Sequence, residues 1–294
     1  MILSTTTSVL FNSFGYENGI ETIAQIGFDA LDLNMCDLSE ENWNNEFSEE
    51  NYIDTCKMLC EAAQKNNLYF NQAHSPFPSY IFGESNTHNE LLLSRIIRSI
   101  KIAGLVGAKY IVVHPTECPP DIDEKKFNID FYNSLIPYCK EYNVKIALEN
   151  LWRYDCENDK AAPSVCSYSS ELADYYESLD PQYFGVCLDV GHCEIVGEAA
   201  QDAIISLGHD RLHALHIHDN NKLFDLHTVP YQGKLDWDKI MSALARIGYE
   251  GDFTYEVGGV FLRHYENKPE LLKTAFTLME QTGRDLIAKF TKER

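Results

Sequence analysis

The chain has 294 residues, 45% of them hydrophobic, and a formal net charge of −21 from 45 acidic and 24 basic residues. That length suits one large α/β domain or two ordinary ones, and no run of about eighteen apolar residues exists to cross a bilayer. Basic residues form no stripe, only isolated groups such as KKF at Lys125 and KPELLK near Lys268, which weighs against a nucleic-acid partner held through its phosphates.

Elements alternate regularly along the chain. Apolar, β-type runs are predicted at Ile2–Thr7, Ala30–Met35, Leu68–His74, Tyr110–His114, Lys145–Glu149, Tyr183–Asp189, Leu212–His218 and Phe253–Val257. Helical periodicity fills the gaps at Ile20–Ile26, Asn51–Lys65, Glu90–Leu105, Phe131–Glu141, Ser169–Ser178, Glu198–Leu207, Trp237–Ile247 and Glu270–Ala288. Eight strands alternating with eight helices predict a parallel sheet with helical crossovers. The length fits a closed (β/α)8 barrel, a TIM barrel, as a single α/β domain over residues 1–294. An open doubly wound sheet is the rival, but no Gly-rich turn follows any strand.

The N-terminus, MILSTTTSVLFNSFG, lacks the basic and apolar segments of a signal peptide, so a cytoplasmic location is expected. Nine cysteines without a CxxC pair read as reduced thiols, most of them buried. Oligomeric state is silent in the sequence.

In such a barrel chemistry sits where the strands end. Six successive strands end on metal-ligand residue types: NQAHSPF at His74, IVVHP at His114, IALEN at Glu149, VCLDVGH at Asp189 with His192 three on, LHIHD at His216 and His218, and FTYEV at Glu256. Each has a structural explanation alone, since an Asp after a strand often caps the next helix. Together they do not, because ionised carboxylates at the ends of buried strands are costly unless paired or metal-bound. Mixed His and carboxylate donors suit zinc, manganese or another first-row divalent ion.

The stretch HALHIHDNNKLFDLHTVPYQGKLDW, residues 213–237, carries four of the ten histidines. His216 and His218 share the parity that faces the barrel interior, and His213 has the opposite one. The loop after them brings Asp225 and His227 back over the mouth, at a D-x-H spacing that lets both reach one ion.

The motifs HPT, LEN, LDVGH, HIHD, DLHTVPYQGKLDW and YEV, in this order over His74 to Glu256, resemble the xylose isomerase-like barrel superfamily. That group joins sugar isomerases and epimerases with endonuclease IV-type enzymes. The resemblance implies one divalent metal ion held by Glu149, Asp189, His216 and Glu256, with Glu149 and Glu256 also the catalytic carboxylates. His216 takes the ligand place because the family pattern runs His, two residues, then an acid, here Asp219. Endonuclease IV-like members hold three zinc ions, and the further metal or substrate ligands correspond to His74, His114, His192, Asp225 and His227. The chain departs from the family at PYQG, where Gln232 replaces an acid, and shows no recognisable DNA-contacting loop.

The expected activity is a metal-dependent isomerase or epimerase acting on a sugar, sugar phosphate or related polyol by proton transfer through an enediolate, with one to three zinc or manganese ions. A bound metal would polarise the substrate carbonyl. His192, His218, Arg153 and Trp152 are candidate substrate-binding residues. Two rivals are an endonuclease IV-like phosphoesterase acting on abasic DNA and a barrel that only binds a ligand.

Overall fold

The computed structural model describes residues 1–265 and 267–293. Eight parallel strands form the main sheet: β1 Leu3–Thr6, β2 Ala30–Asn34, β3 Phe70–His74, β4 Tyr110–Val112, β5 Lys145–Glu149, β8 Phe184–Asp189, β9 Leu212–His216 and β10 Phe253–Tyr255. Between β5 and β8 lies an antiparallel hairpin of β6 Trp152–Asp155 and β7 Lys160–Pro163. Hydrogen-bonded neighbours run β10-β1-β2-β3-β4-β5-β8-β9. The ring closes just beyond β9, where Ile217 N–H donates to Thr254 O at 2.9 Å and Glu256 N–H donates to Ile217 O at 3.1 Å. Helices cross between the strands, so the architecture is the expected (β/α)8 barrel.

Strand alternation sorts the side chains into two environments. Ile111, Ile146, Leu148, Val186, Leu188 and Leu215 face the helices within the main apolar core. Tyr110, Val112, Ala147, Cys187 and Ala214 make a separate small cluster inside the barrel. Two residues beyond Ala147, Cys187 and Ala214 come Glu149, Asp189 and His216, so the parity that fills the barrel also aims these ligand types at its mouth. On the other side of the ring the interior is polar. Thr6, Asp32 and Gln72 lie there fully or almost fully buried.

Several elements differ from the sequence expectation. β4 stops at Val112, two residues short of His114, and β9 stops at His216 rather than His218. Short helices at Ser8–Phe14, Glu40–Asn44, Val190–Ile195 and Gly259–Leu262 were not predicted, nor was the hairpin. The hairpin turn is set by Asp155, whose Oδ1 accepts the N–H groups of Glu157 and Asn158. All nine cysteines are free thiols, five of them buried. Among the described residues no helix is long and apolar enough to cross a membrane.

Candidate metal centre and substrate cavity

Four strands and their extensions deliver Glu149, Asp189, His216 and Glu256 to one point, with one ligand atom from each lying within 4.8 Å of the others. His216 Nδ1 donates to Glu149 Oε1 at 2.6 Å and lies 3.4 Å from Glu256 Oε2. The other Glu149 oxygen, Oε2, has His114 Nε2 at 2.8 Å and His74 Nε2 at 3.6 Å. Neither contact has hydrogen-bond geometry, and this buried oxygen lacks a partner. Close donor atoms that do not point at one another are the arrangement of ligands around a shared cation.

A second group joins His192, His218, Asp225 and His227. Asp225 Oδ2 lies 2.9 Å from His227 Nε2 and 3.4 Å from His192 Nε2, and accepts from Trp152 Nε1 at 3.2 Å. Its other oxygen is buried without a partner. His192 spends Nδ1–H on Asn150 O at 2.8 Å, and His227 spends Nδ1–H on Glu256 O at 2.7 Å. In both rings Nε2 is thereby the nitrogen that faces Asp225. Metal-binding histidines are fixed in this way, with the remote N–H on a carbonyl. His227 is also held at a positive φ of 44°, a strained conformation of the kind that collects at functional sites.

Burial and the neighbouring charges fix the protonation. Burial disfavours charge on Glu149, yet His216, His114 and His74 outweigh it and hold the carboxyl well below its usual range. Burial likewise opposes Asp189, but His192 and His218 bring it down to about 2. Asp225 is lowered by His192 and His227 against its burial. Burial lowers His114 outright, whereas Asp225 overcomes burial at His227 and raises it to about 10. The donor set is therefore anionic carboxylate plus imidazole, whose proton a divalent ion would displace. With the orphaned oxygens and the carbonyl-anchored imidazoles, the residues present fit one divalent ion at the first group and a second at the other.

Asp189 does two things. Its Oδ1 caps the helix Val190–Ile195 by accepting from His192 N–H at 2.7 Å, while both its oxygens lie near His218 Nε2, at 3.0 and 3.1 Å. The residue therefore both caps this helix and lies within one group of ligand-type side chains.

Glu149, Glu256, His192, Asp225 and His227 of these groups line a cavity of 420 Å³ whose other walls are Cys36, His74, Phe77, His114, Leu151, Trp152 and Tyr154. Of the sequence-nominated substrate residues, His192 and Trp152 line it. His218 does not: it is fully buried behind Asp189, its ring stacked 3.9 Å from that of His227. Arg153 does not either. It points to the outer side of the hairpin, donating to Pro163 O at 3.0 Å beside Glu117 at 3.4 Å.

Sequence reasoning missed several supports. Gln72 crosses the barrel interior to place Nε2 2.8 Å from His216 Nε2. Asn150 ties β5 to β8, donating to Asp189 O and accepting from Asp189 N–H. Asp32 lies fully buried near His216 and His74, and burial pushes its carboxyl up to about 6. Asp219 organises the loop that carries Asp225 and His227. Its Oδ1 accepts from the N–H groups of Asn220 and Leu235, and its Oδ2 from Tyr231 N–H and Trp237 Nε1–H. The signal for Asp219 was present: a Cβ at Gly233 would come within 2.1 Å of Asp219 Oδ1, so the YQGK turn needs glycine there.

The sequence profile of the xylose isomerase-like TIM barrel family matches residues 20–281. The uncharacterized protein y4fM of Sinorhizobium fredii is 32% identical over 179 residues, which cover 57% of this chain and 51% of that protein. Among solved structures, the IolI protein with a bound zinc atom superposes with a TM-score of 0.76 at 17% identity, over 99% of each chain. D-psicose 3-epimerase in the presence of D-fructose superposes with a TM-score of 0.74 at 17% identity, over 97% of this chain and 99% of that one. At these identities the likeness to the two structures is one of fold.

Proposed function

This chain belongs to the xylose isomerase-like TIM barrel family, and on that premise we propose that it is a divalent-metal-dependent epimerase or isomerase of a sugar or sugar derivative. The observation that carries the reading is the convergence of Glu149, Asp189, His216 and Glu256, of which Glu149 and Glu256 line the 420 Å³ cavity. Solved epimerases and the zinc-bound IolI protein share the fold, which supports it. A bound Zn²⁺ or Mn²⁺ supplies Lewis acidity toward a substrate carbonyl and its neighbouring hydroxyl.

The chain's own residues do the rest. Glu149 is held at one oxygen by His216, has His114 and His74 beside the other, and stays ionised. Glu256 is freer, with its side chain 16% exposed to the cavity. A base needs reach and an unengaged lone pair, so Glu256 is the group best placed to take a proton from a sugar carbon. The substrate would pass through an enediolate that Glu149, reprotonated from solvent in the cavity it lines, protonates on the opposite face, and Glu256 then releases its proton to the same solvent. Trp152 and Phe77 supply apolar walls for the ring, and His192 meets a substrate oxygen where it is not itself a ligand. Cytoplasmic location belongs to the same proposal.

The test is epimerisation of a ketose panel by metal-loaded enzyme, followed by carbohydrate NMR, in wild type, Glu149→Gln and Glu256→Gln. Each amide keeps volume and loses basicity, so activity is expected to fall by at least about a hundredfold, with circular dichroism unchanged. Wild-type turnover in either variant removes that carboxylate from the mechanism.

The second ligand group favours one alternative, a multinuclear phosphoesterase of the endonuclease IV type. Its test is incision of an abasic-site duplex at physiological salt. The net charge of −21 and the absence of a basic stripe predict none.

A further inference from the structure

The metal cavity has a neighbour. A second cavity of 540 Å³ shares three of its wall residues, Phe77, Leu151 and Trp152, and continues outward beneath the hairpin. Its inner walls are apolar and aromatic. Tyr80 and Phe82 pack edge-on at 4.9 Å, and both rest on Phe127 at 5.2 and 5.1 Å, so these faces are anchored. Phe77 rests on the His114 ring at 4.9 Å yet is 53% exposed where the two cavities meet. Polar groups line the rest: Ser79 and Thr116, and at the far end Ser164, whose Oγ donates to Glu117 at 3.1 Å, with Glu117 3.4 Å from Arg153.

Resting on the sugar reading above, we propose that the substrate is a keto-glycoside with an aromatic aglycone, its oxidised sugar ring, which carries the carbonyl the reaction needs, over the metal centre and its aryl group in the second cavity. Cavities of about 300–1,000 Å³ accept drug-sized ligands, and the metal cavity alone already has room for a sugar. A second sugar ring would need hydrogen-bond partners along its length, and the inner walls formed by Phe77, Tyr80, Phe82 and Trp152 are aromatic. A flat aromatic ring gains from those walls by burial and by edge or face contact. A phenolic or other polar substituent would then meet Arg153 and Glu117. Arg153, nominated from sequence as a sugar contact, becomes an aglycone contact.

The probes are methyl β-D-glucopyranoside, phenyl β-D-glucopyranoside, their galacto counterparts and cellobiose. Binding to metal-loaded enzyme is read by titration calorimetry, in wild type and in Ser164→Trp, which fills the outer cavity without touching the metal-site residues. The phenyl glycoside is expected to bind roughly ten- to a hundredfold tighter than its methyl partner. Ser164→Trp should erase that preference and leave methyl glycoside binding unchanged. Tyr80→Ala should reduce it independently, so a folding defect in one variant does not decide the matter. Equal affinity for phenyl and methyl partners overturns the aglycone site while leaving the sugar reading intact. A preference that survives both variants, or cellobiose binding tighter than the phenyl glycoside, overturns it too. If no probe binds, the aglycone site fails, while the ketose panel above decides the sugar reading separately.

Discussion

Replacing Asp219 by asparagine preserves shape and removes only charge and one acceptor. In the native loop each carboxylate oxygen accepts from two N–H groups: Oδ1 from Asn220 and Leu235, Oδ2 from Tyr231 and Trp237. Whichever way an asparagine amide turns, its NH₂ faces two N–H donors. Two hydrogen bonds to a charged group are lost, at about 1.5–3 kcal/mol each, and their donors are stranded in a largely buried loop. The expected destabilisation is roughly 3–5 kcal/mol. Trp237 opens the helix Trp237–Arg246 and is itself buried, so the defect reaches the core. The assay is urea denaturation of both proteins in chelator, which removes any contribution from metal linkage. A second readout is metal content, where the ion at Asp225 and His227 should be lost while the ion at Glu149 and His216 remains. A stability change within about 0.5 kcal/mol, the range of an ordinary surface substitution, would refute the assignment of Asp219 as the residue that holds this loop.

Other expectations follow from the same contacts. His216→Ala should strip the main ion and silence catalysis, whereas His227→Ala should spare it and cost the second ion or substrate affinity; metal stoichiometry of the two variants reverses the assignment if the outcomes are exchanged. Gln72→Leu should weaken metal binding roughly ten- to a hundredfold in chelator competition, and Gln72→Glu should recover part of it, because an ion on His216 Nδ1 leaves Nε2 as an N–H that a carboxylate accepts. At the opposite end of the barrel, burial opposes charge on Asp29, but the two-pronged contact from Arg284, at 2.7 and 2.9 Å, keeps its pKa below the ordinary carboxylate value. Both side chains are about a third exposed, so Arg284→Ala should cost only about 1 kcal/mol. That difference is complete above the ordinary carboxylate range and disappears as pH falls through the depressed pKa of Asp29, which equilibrium unfolding at neutral and strongly acidic pH would show.

The barrel was legible because each strand is a short apolar run and each crossover has helical periodicity. The candidate ligand residues were legible because they follow those runs at a fixed parity: Ala147 to Glu149, Cys187 to Asp189, Ala214 to His216. What stayed hidden depends on contacts across the ring. Gln72 reads as one more residue of an apolar strand until β3 faces His216. His218 shares the parity of His216, yet parity does not reveal depth, and Asp189 with His227 seals it from the cavity. Asp219 served to align the family pattern, while its own work is on a loop whose turns no periodicity encodes. Arg153 lies four residues after Glu149, but the hairpin reverses the chain and turns it toward Glu117.

The central claim is that the strand ends build a divalent-metal centre, and elemental analysis of protein purified without chelator tests it most directly. The account predicts at least one zinc or manganese per chain, with that ion absent from His216→Ala of unchanged fold. Wild-type protein that carries no stoichiometric divalent metal, and takes up none when zinc or manganese is supplied, would contradict it.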